Sequence, residues 1–384
     1  MAAYHQIGHD SENLLFEPGL ARFGGAILSP VNYEPLRASA QVARVSEELS
    51  ANFDVVLDPQ LYVPASDRDK LRKWPYFPKD VDTADLSSPA WWAEINGRLL
   101  GHANQLKPNG VCSPATLPNA DAFTDAYYAS LVEIGNDLVQ QAAKSGLRVL
   151  QTAVVGLKEL ALESRPLEVA SLLSNTKAKE IYLNFFSEVV PRRELAASDQ
   201  LTGAARLIAE IKKAGLSVLV GCCSADMLIW KAVGADSCAT GKFFNLRRFS
   251  RSRWGEAIDG GQNIAYFFEE ALVAFVREAD VRRIHDKGLM SEATAKNPYA
   301  AAILEKLAQS PGAPWVGDGW RQYLYWFAEC EERISKGGSV DDLLSAAEQL
   351  WIRLPEMRLL MDEARNDGAW VRPWRIAALA GAVD

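Results

Sequence analysis

Residues 147–156 read LRVLQTAVVG, a run in which almost every position is apolar. It opens just after Gly146, which closes a helix expected from about Ala122 to Ser145, as a glycine at the end of a helix does. Two similar runs follow, AKEIYLNFFSE at 178–188 and LSVLVGCCS at 216–224, with a helix over roughly 201–214 between them that stops at Gly215. A strand exposed on one side alternates apolar and polar residues. A strand that is apolar throughout is covered on both faces, which implies a parallel sheet with crossover helices.

The same unit recurs outward in both directions. Toward the amino end lie GVCSPATLP (110–118), FDVVLDP (53–59) and ARFGGAILSP (21–30), the last followed by a helix over 36–50. Toward the carboxyl end lie GADSCATG (234–241) and NIAYFF (263–268). Counted from the amino end these make eight strands, first to eighth. A doubly wound sheet and a closed (βα)8 TIM-like barrel both fit. The count favours the barrel, as does the lack of a Gly-rich dinucleotide turn after the first strand. The chain is therefore read as a β/α barrel over 1–289 with a long insertion at about 60–108, after strand 2. A helical C-terminal appendage follows over 290–384. The insertion is rich in proline and tryptophan and is expected to be ordered near the catalytic end.

Composition bounds the rest. The 384 residues carry a formal net charge of −8 with 48% hydrophobic residues, ordinary for a globular chain. An acidic balance argues against general coating of nucleic acid or anionic membrane, so any anion site is local. No apolar stretch approaches the roughly 18 residues of a membrane span. The first residues, MAAYHQIGHDSENLLFEPG, are not a secretory signal. Five scattered cysteines suit free thiols in a cytoplasmic protein. His5 and His9 stand four apart on what reads as a loose amino terminus, a poor metal site. Nothing in the sequence calls for a metal or another cofactor.

In barrel enzymes the chemistry sits at the carboxyl ends of the strands. Asp58 ends an apolar run and precedes a proline, so its carboxyl is the leading acid–base or nucleophilic candidate, although an Asp there also caps turns. Glu188 follows the fifth run and Asp236 opens the seventh. Asn32, Gln60 and Asn184 stand at strand ends as substrate-binding candidates, with Ser29, Thr152, Cys223, Ser224 and Asp226 as further polar groups. The stretch GADSCATGKFFNLRRFSRSRW (234–254) gathers Lys242 and four arginines. Loops after the last strands often hold phosphate in barrels. Thr240, Gly241, Lys242, Arg247, Arg248 and Arg251 are expected to form an anion site, the arginines binding phosphate oxygens in pairs. The competing expectation pairs these arginines with Glu329, Glu331 and Glu332.

VVLDPQLYVP and GADSCATG together resemble the tRNA-guanine transglycosylase group of barrels. The resemblance implies that Asp58 contacts a base and that Asp236 lies near the nucleophile. The group's Asp-Ser-Gly-Gly segment and its zinc-binding cysteine–histidine cluster do not occur here. The expectation is an enzyme, of transferase, hydrolase or lyase type, acting on a phosphorylated, nucleotide-like or nucleic-acid anion by carboxylate chemistry, conceivably at a glycosidic bond. Two alternatives stay open: a Schiff-base lyase or aldolase using Lys242, and a non-catalytic barrel that binds nucleic acid or a protein. Helix 320–334 carries aromatic residues on more than one side and is a candidate for contact with a partner or a second copy.

Overall fold

The computed structural model of the protein describes all residues except 1, 21, 255–263, 311, 313, 364–365 and 382–384. Eight parallel strands close into a barrel in chain order. They are β1 (Tyr4–Gln6), β2 (Gly25–Leu28), β3 (Asp54–Leu57), β4 (Gly110–Cys112), β5 (Arg148–Gly156), β6 (Glu180–Phe186), β7 (Ser217–Val220) and β8 (Ser237–Gly241). Tyr4 pairs with Gly25 on one side and with Ala239 on the other, which closes the ring. The β/α barrel expected from the sequence is the fold.

The strand count is right but the set is shifted by one. The amino terminus is not loose: Tyr4–Gln6 is the first strand, and His5 is buried within it. The run at 263–268 is not a barrel strand. Residue 263 lies outside the described residues, and Phe267–Glu269 (β9) pairs antiparallel with Ala274–Val276 (β10) outside the ring. The long insertion therefore follows the third strand, and the arginine-rich loop follows the eighth. The missed strand is short, and its middle and last residues, His5 and Gln6, are polar groups buried on opposite sides of the sheet. No apolar periodicity could mark it.

The barrel interior is stratified. Across its middle, every strand contributes one side chain to a single packed cluster: Tyr4, Ile27, Val56, Cys112, Leu150, Tyr182, Leu219 and Ala239. Such a plug is a filled core, not a pore. At the amino-terminal end the lumen closes on charge. Arg148 pairs with Asp54 and lies 3.5 Å from Glu180, while the Tyr4 hydroxyl donates to Asp54 at 2.5 Å.

The carboxyl-terminal segment completes the wall. The helix Val316–Ser335 covers the outer face of β8, where Thr240 Oγ1 and the Tyr323 hydroxyl are 2.9 Å apart. A buried ion pair, Lys231 Nζ to Glu331 at 2.9 Å, ties that helix to the short helix after β7. Trp326, off the main apolar stripe, donates to Glu270 at 2.8 Å, so this helix is buried on more than one side, as its aromatic pattern requires. The last helix, Val371–Ala380, lies on Ser198–Lys213 and sends the Trp374 indole to the Leu195 carbonyl at 2.6 Å.

Candidate active site

The carboxyl-terminal mouth of the barrel is polar where the middle is not. Asp58 directly follows β3 and, by strand alternation, shares the inward face of Asp54 and Val56. Its Oδ1 accepts the Gln60 backbone amide at 3.0 Å, and the Tyr62 hydroxyl lies 3.1 and 3.2 Å from its two oxygens. The turn is tight enough to hold Gln60 at a φ of 56°. Asp58 is 2% exposed. Burial pushes its carboxyl up to about 6, while the Gln60 amide and the charge of Arg253 hold it down. Asp58 is thus both a turn cap and a tuned acid.

A connected chain crosses the lumen beside it. The Gln6 amide meets the Tyr182 hydroxyl at 3.4 Å, Cys222 Sγ lies 3.7 Å from Gln6 Oε1, and Arg253 Nη1 lies 3.4 Å from Cys222 Sγ. Cys222 sits at a φ of 53°, and burial raises its thiol to about 11, so it rests as a thiol. Asn184 stands two residues above Tyr182 on the same face of β6. Gly221 makes room for it: a Cβ there would meet Asn184 Oδ1 at 2.3 Å.

Several of these groups are buried with nothing to bind among the described residues: both polar atoms of the Asn184 amide, Ser29 Oγ, Gln60 Nε2 and Arg253 Nη2 have no hydrogen-bond partner there. An unsatisfied buried polar group costs about 1–3 kcal/mol, more when charged, so a cluster of them at one place needs a cause. Each lies at the end of the barrel where ligands bind.

A roof closes the mouth. Ser66 Oγ donates to the Trp254 carbonyl at 3.3 Å, and Arg68 donates to the Arg253 carbonyl at 3.2 Å. Tyr62, Phe249 and Trp254 pack edge-on and tilted with ring centroids 4.7–5.8 Å apart. Arg251 anchors the same strap to Asp121 and to the Pro118 carbonyl at 2.5 and 2.8 Å.

No protein-family model and no curated protein matches this sequence. Among solved structures, the chain is similar to an enolase from Bradyrhizobium complexed with magnesium and mandelic acid. Identity there is 9% and the TM-score 0.33, over 62% of this chain and 52% of that one, about half its length. It is also similar to the enoyl reductase domain of MlnA from the macrolactin biosynthesis cluster of Bacillus amyloliquefaciens. There identity is 12% and the TM-score 0.32, over 98% and 94% of the two chains.

The other sequence candidates divide. Gln60 and Asn184 join Asp58 at the mouth. Asn32 stands at the rim, its amide 3.4 Å from the Ile7 carbonyl. Glu188 is exposed on the loop after β6, at a separate cleft of about 370 Å³ formed with Phe123, Gly156 and Phe186. Asp236 stands at the opposite end, before β8, bound to Lys212 at 2.6 Å and to the Val218 amide at 2.8 Å. The structure does not bring these two carboxylates to Asp58.

The residues expected to hold an anion are mostly occupied. Thr240 points outward to Tyr323, and Gly241 packs under Leu246. The Lys242 ammonium lies 4.1 Å above the Trp320 ring, outside the lumen, and burial lowers its pKa. Arg247 donates to the Gly241 and Lys242 carbonyls at 2.9 Å and stacks on Tyr323 at 3.6 Å. Burial lowers its pKa to about 10. Arg248 is buried with Glu194 and Asp226 as its ionisable neighbours; its Nη2 donates to the Arg193 carbonyl at 3.2 Å, while its Nε and Nη1 have no partner among the described residues. The arginines do not pair with the late helix either: Glu331 binds Lys231, Glu329 binds Arg333, and Glu332 binds Lys336 and Arg22.

Of the four arginines Arg253 is the one that reaches the lumen, and nothing in the sequence prefers it over its three neighbours. Gln6, Tyr62, Tyr182 and Cys222 were not anticipated. His5 packs against Phe23, bonds Ser11 at 3.3 Å, and is pushed down to about 3 by burial. Among the described residues, no group of three or more His, Cys, Asp or Glu side chains is placed to hold a metal ion. No described helix is long and apolar enough to cross a membrane.

Proposed function

We propose that the chain is a barrel enzyme that acts on a small anionic molecule enclosed at the carboxyl-terminal mouth, with Asp58 as the proton-transferring group. The observation that carries this reading is the convergence of a buried carboxyl, raised by burial to about 6, with buried polar atoms that have no partner among the described residues. An acid near neutrality serves as well to take a proton as to give one, which is what general acid–base catalysis needs. Asn184 and Gln60 would orient the substrate and Arg253 would hold its charge. Tyr62 would keep the carboxyl in place.

This keeps the carboxylate chemistry expected from the sequence and moves the anion from Lys242, Arg247 and Arg248 to Arg253. A phosphorylated or nucleotide-like substrate, and reaction at a glycosidic bond, would need the roof displaced, because every group at the mouth is nearly sealed. The Schiff-base alternative gains no support, since Lys242 lies outside the lumen on Trp320. A purely binding role is separated by turnover.

The test is proton NMR of mixed small organic acids and phosphorylated metabolites incubated with the wild type and with Asp58→Asn. Turnover by the wild type that falls at least about 100-fold in the variant supports the reading, in line with the usual contribution of a positioned acid or base. Turnover unchanged in the variant removes Asp58 from the chemistry. Binding without turnover of any member makes the barrel a binding module.

A further inference from the structure

The lumen below the roof has an unusual charge inventory. It holds one guanidinium, Arg253, whose Nη2 has no partner, and one carboxyl, Asp58. The ionisable groups facing Asp58 are Tyr62 from its own loop, Tyr76 from the insertion, Cys112 from β4, Tyr182 from β6, Cys222 after β7 and Arg253 after β8. The tyrosines and thiols are all raised by burial and stay neutral, so among the described groups that face Asp58 only Arg253 carries a charge. The unpartnered neutral groups offer both hydrogen-bond senses: Asn184 Nδ2 and Gln60 Nε2 donate, Asn184 Oδ1 accepts, and Ser29 Oγ does either.

We infer that the mouth takes a small unphosphorylated carboxylate with a neighbouring hydroxyl or carbonyl group, and that it takes up a proton on Asp58 as it does so. This rests on the mouth being the substrate site. The argument is one of charge balance in a closed space. Burying an unpaired charge is costly, so an enclosed site tends toward neutrality. A carboxylate paired with Arg253 is neutral only if Asp58 is protonated. A phosphate dianion would leave excess negative charge, since Lys242, Arg247 and Arg251 are held elsewhere by an aromatic ring, carbonyls and Asp121, and Arg248 is directed to the Arg193 carbonyl. A guanidinium receives a carboxylate through two parallel N–H groups, and Asn184 then meets the adjacent hydroxyl or carbonyl.

The test uses the full chain and a fixed set of probes: glycolate, lactate and pyruvate as carboxylates, phosphoglycolate and inorganic phosphate as phosphorylated anions, and glycerol as a neutral. Thermal shift is measured for the wild type, Arg253→Gln and Asn184→Leu, with circular dichroism to establish that each variant is folded. Calorimetry at pH 7.5, in two buffers of different ionisation enthalpy, counts protons. The expected result is stabilisation by at least one carboxylate, uptake of close to one proton, and affinity falling up to tenfold per pH unit above about 6. Both variants weaken binding at least tenfold. A phosphorylated probe that binds more tightly than every carboxylate, with the same dependence on Arg253 and Asn184, overturns the carboxylate class and leaves the mouth as the site. Carboxylate binding without proton uptake overturns the coupling to Asp58. If no probe binds, or binding survives both substitutions, the inference and the reading of the mouth fall together.

Discussion

The two ends of the barrel lumen are built from similar residues and are finished differently. At the amino-terminal end Asp54, Arg148, Glu180 and Tyr4 form a set in which each charged group has an opposite charge within 4 Å. At the carboxyl-terminal end Asp58, Arg253, Gln60, Asn184 and Ser29 are more deeply buried than that partly exposed set, yet among the described residues the Asn184 side chain has no partner, and the Arg253 guanidinium finds a sulfur and no carboxylate within 4 Å. Charge that is satisfied holds a fold together. Charge and amide groups left open in a fully buried place destabilise it unless something else completes them. On the reading proposed above, stability belongs to one end and binding to the other.

The largest effect should come from Asp58. Asp58→Asn keeps an acceptor for the Gln60 amide and the Tyr62 hydroxyl but cannot exchange a proton, so turnover should fall about 10²- to 10⁴-fold. Its checks are the NMR assay and a folded circular dichroism spectrum. A variant that unfolds instead would show that this end, too, is structural. At the closed end, Arg148→Met should leave Asp54 and Glu180 facing each other without a cation. A loss of about 3 kcal/mol in urea denaturation is expected, at the low end for a broken buried pair because Arg148 is partly exposed. Unaltered ligand binding per folded molecule should accompany it.

The pH dependence of stability sharpens the contrast. The folded value of Asp58, about 6, lies above its ordinary value of 3.8, so between them the native state binds more protons than the unfolded one. Its contribution therefore favours the fold below about pH 4 and is lost as pH rises through 6, costing about 3 kcal/mol above that. Asp58→Asn should remove this slope and stabilise the protein at pH 7 by a similar amount, read from urea midpoints across pH 4–8. The smallest stability change belongs to Asn184→Leu, which replaces an unpartnered amide with an apolar group of similar size. It should alter stability by no more than about 1 kcal/mol, in either direction, while abolishing carboxylate binding.

The sequence showed the barrel because most strands are buried on both faces and so are rich in apolar residues without strict alternation, as in 147–156 and 216–220. It hid β1 because that strand places Gln6 in the lumen and His5 in the outer packing, and its polar residues read as loop. Asp58, Gln60 and Asn184 were legible from their positions at strand ends. Arg253 was not, because four arginines in one loop are equivalent until the turns that orient them are known. Arg247 turns back on its own backbone and Tyr323, Arg251 reaches across to Asp121, and only Arg253 passes under the roof. Asp236 was suggested by the transglycosylase resemblance alone, and GADSCATG already sets it at the opening of its run. It stands before the strand, at the wrong end.

The bonds from Ser66 and Arg68 to the carbonyls of Trp254 and Arg253 bear on time as well as on structure. On the proposed reading these bonds cover the mouth, and a ligand's arrival at Asn184 would wait on their parting. Stopped-flow mixing should show an observed rate that levels off with rising ligand concentration at the opening rate of the roof, and Ser66→Ala should lift that ceiling. The same latch would slow escape, giving a weakly charged, small ligand a residence longer than its few contacts alone provide.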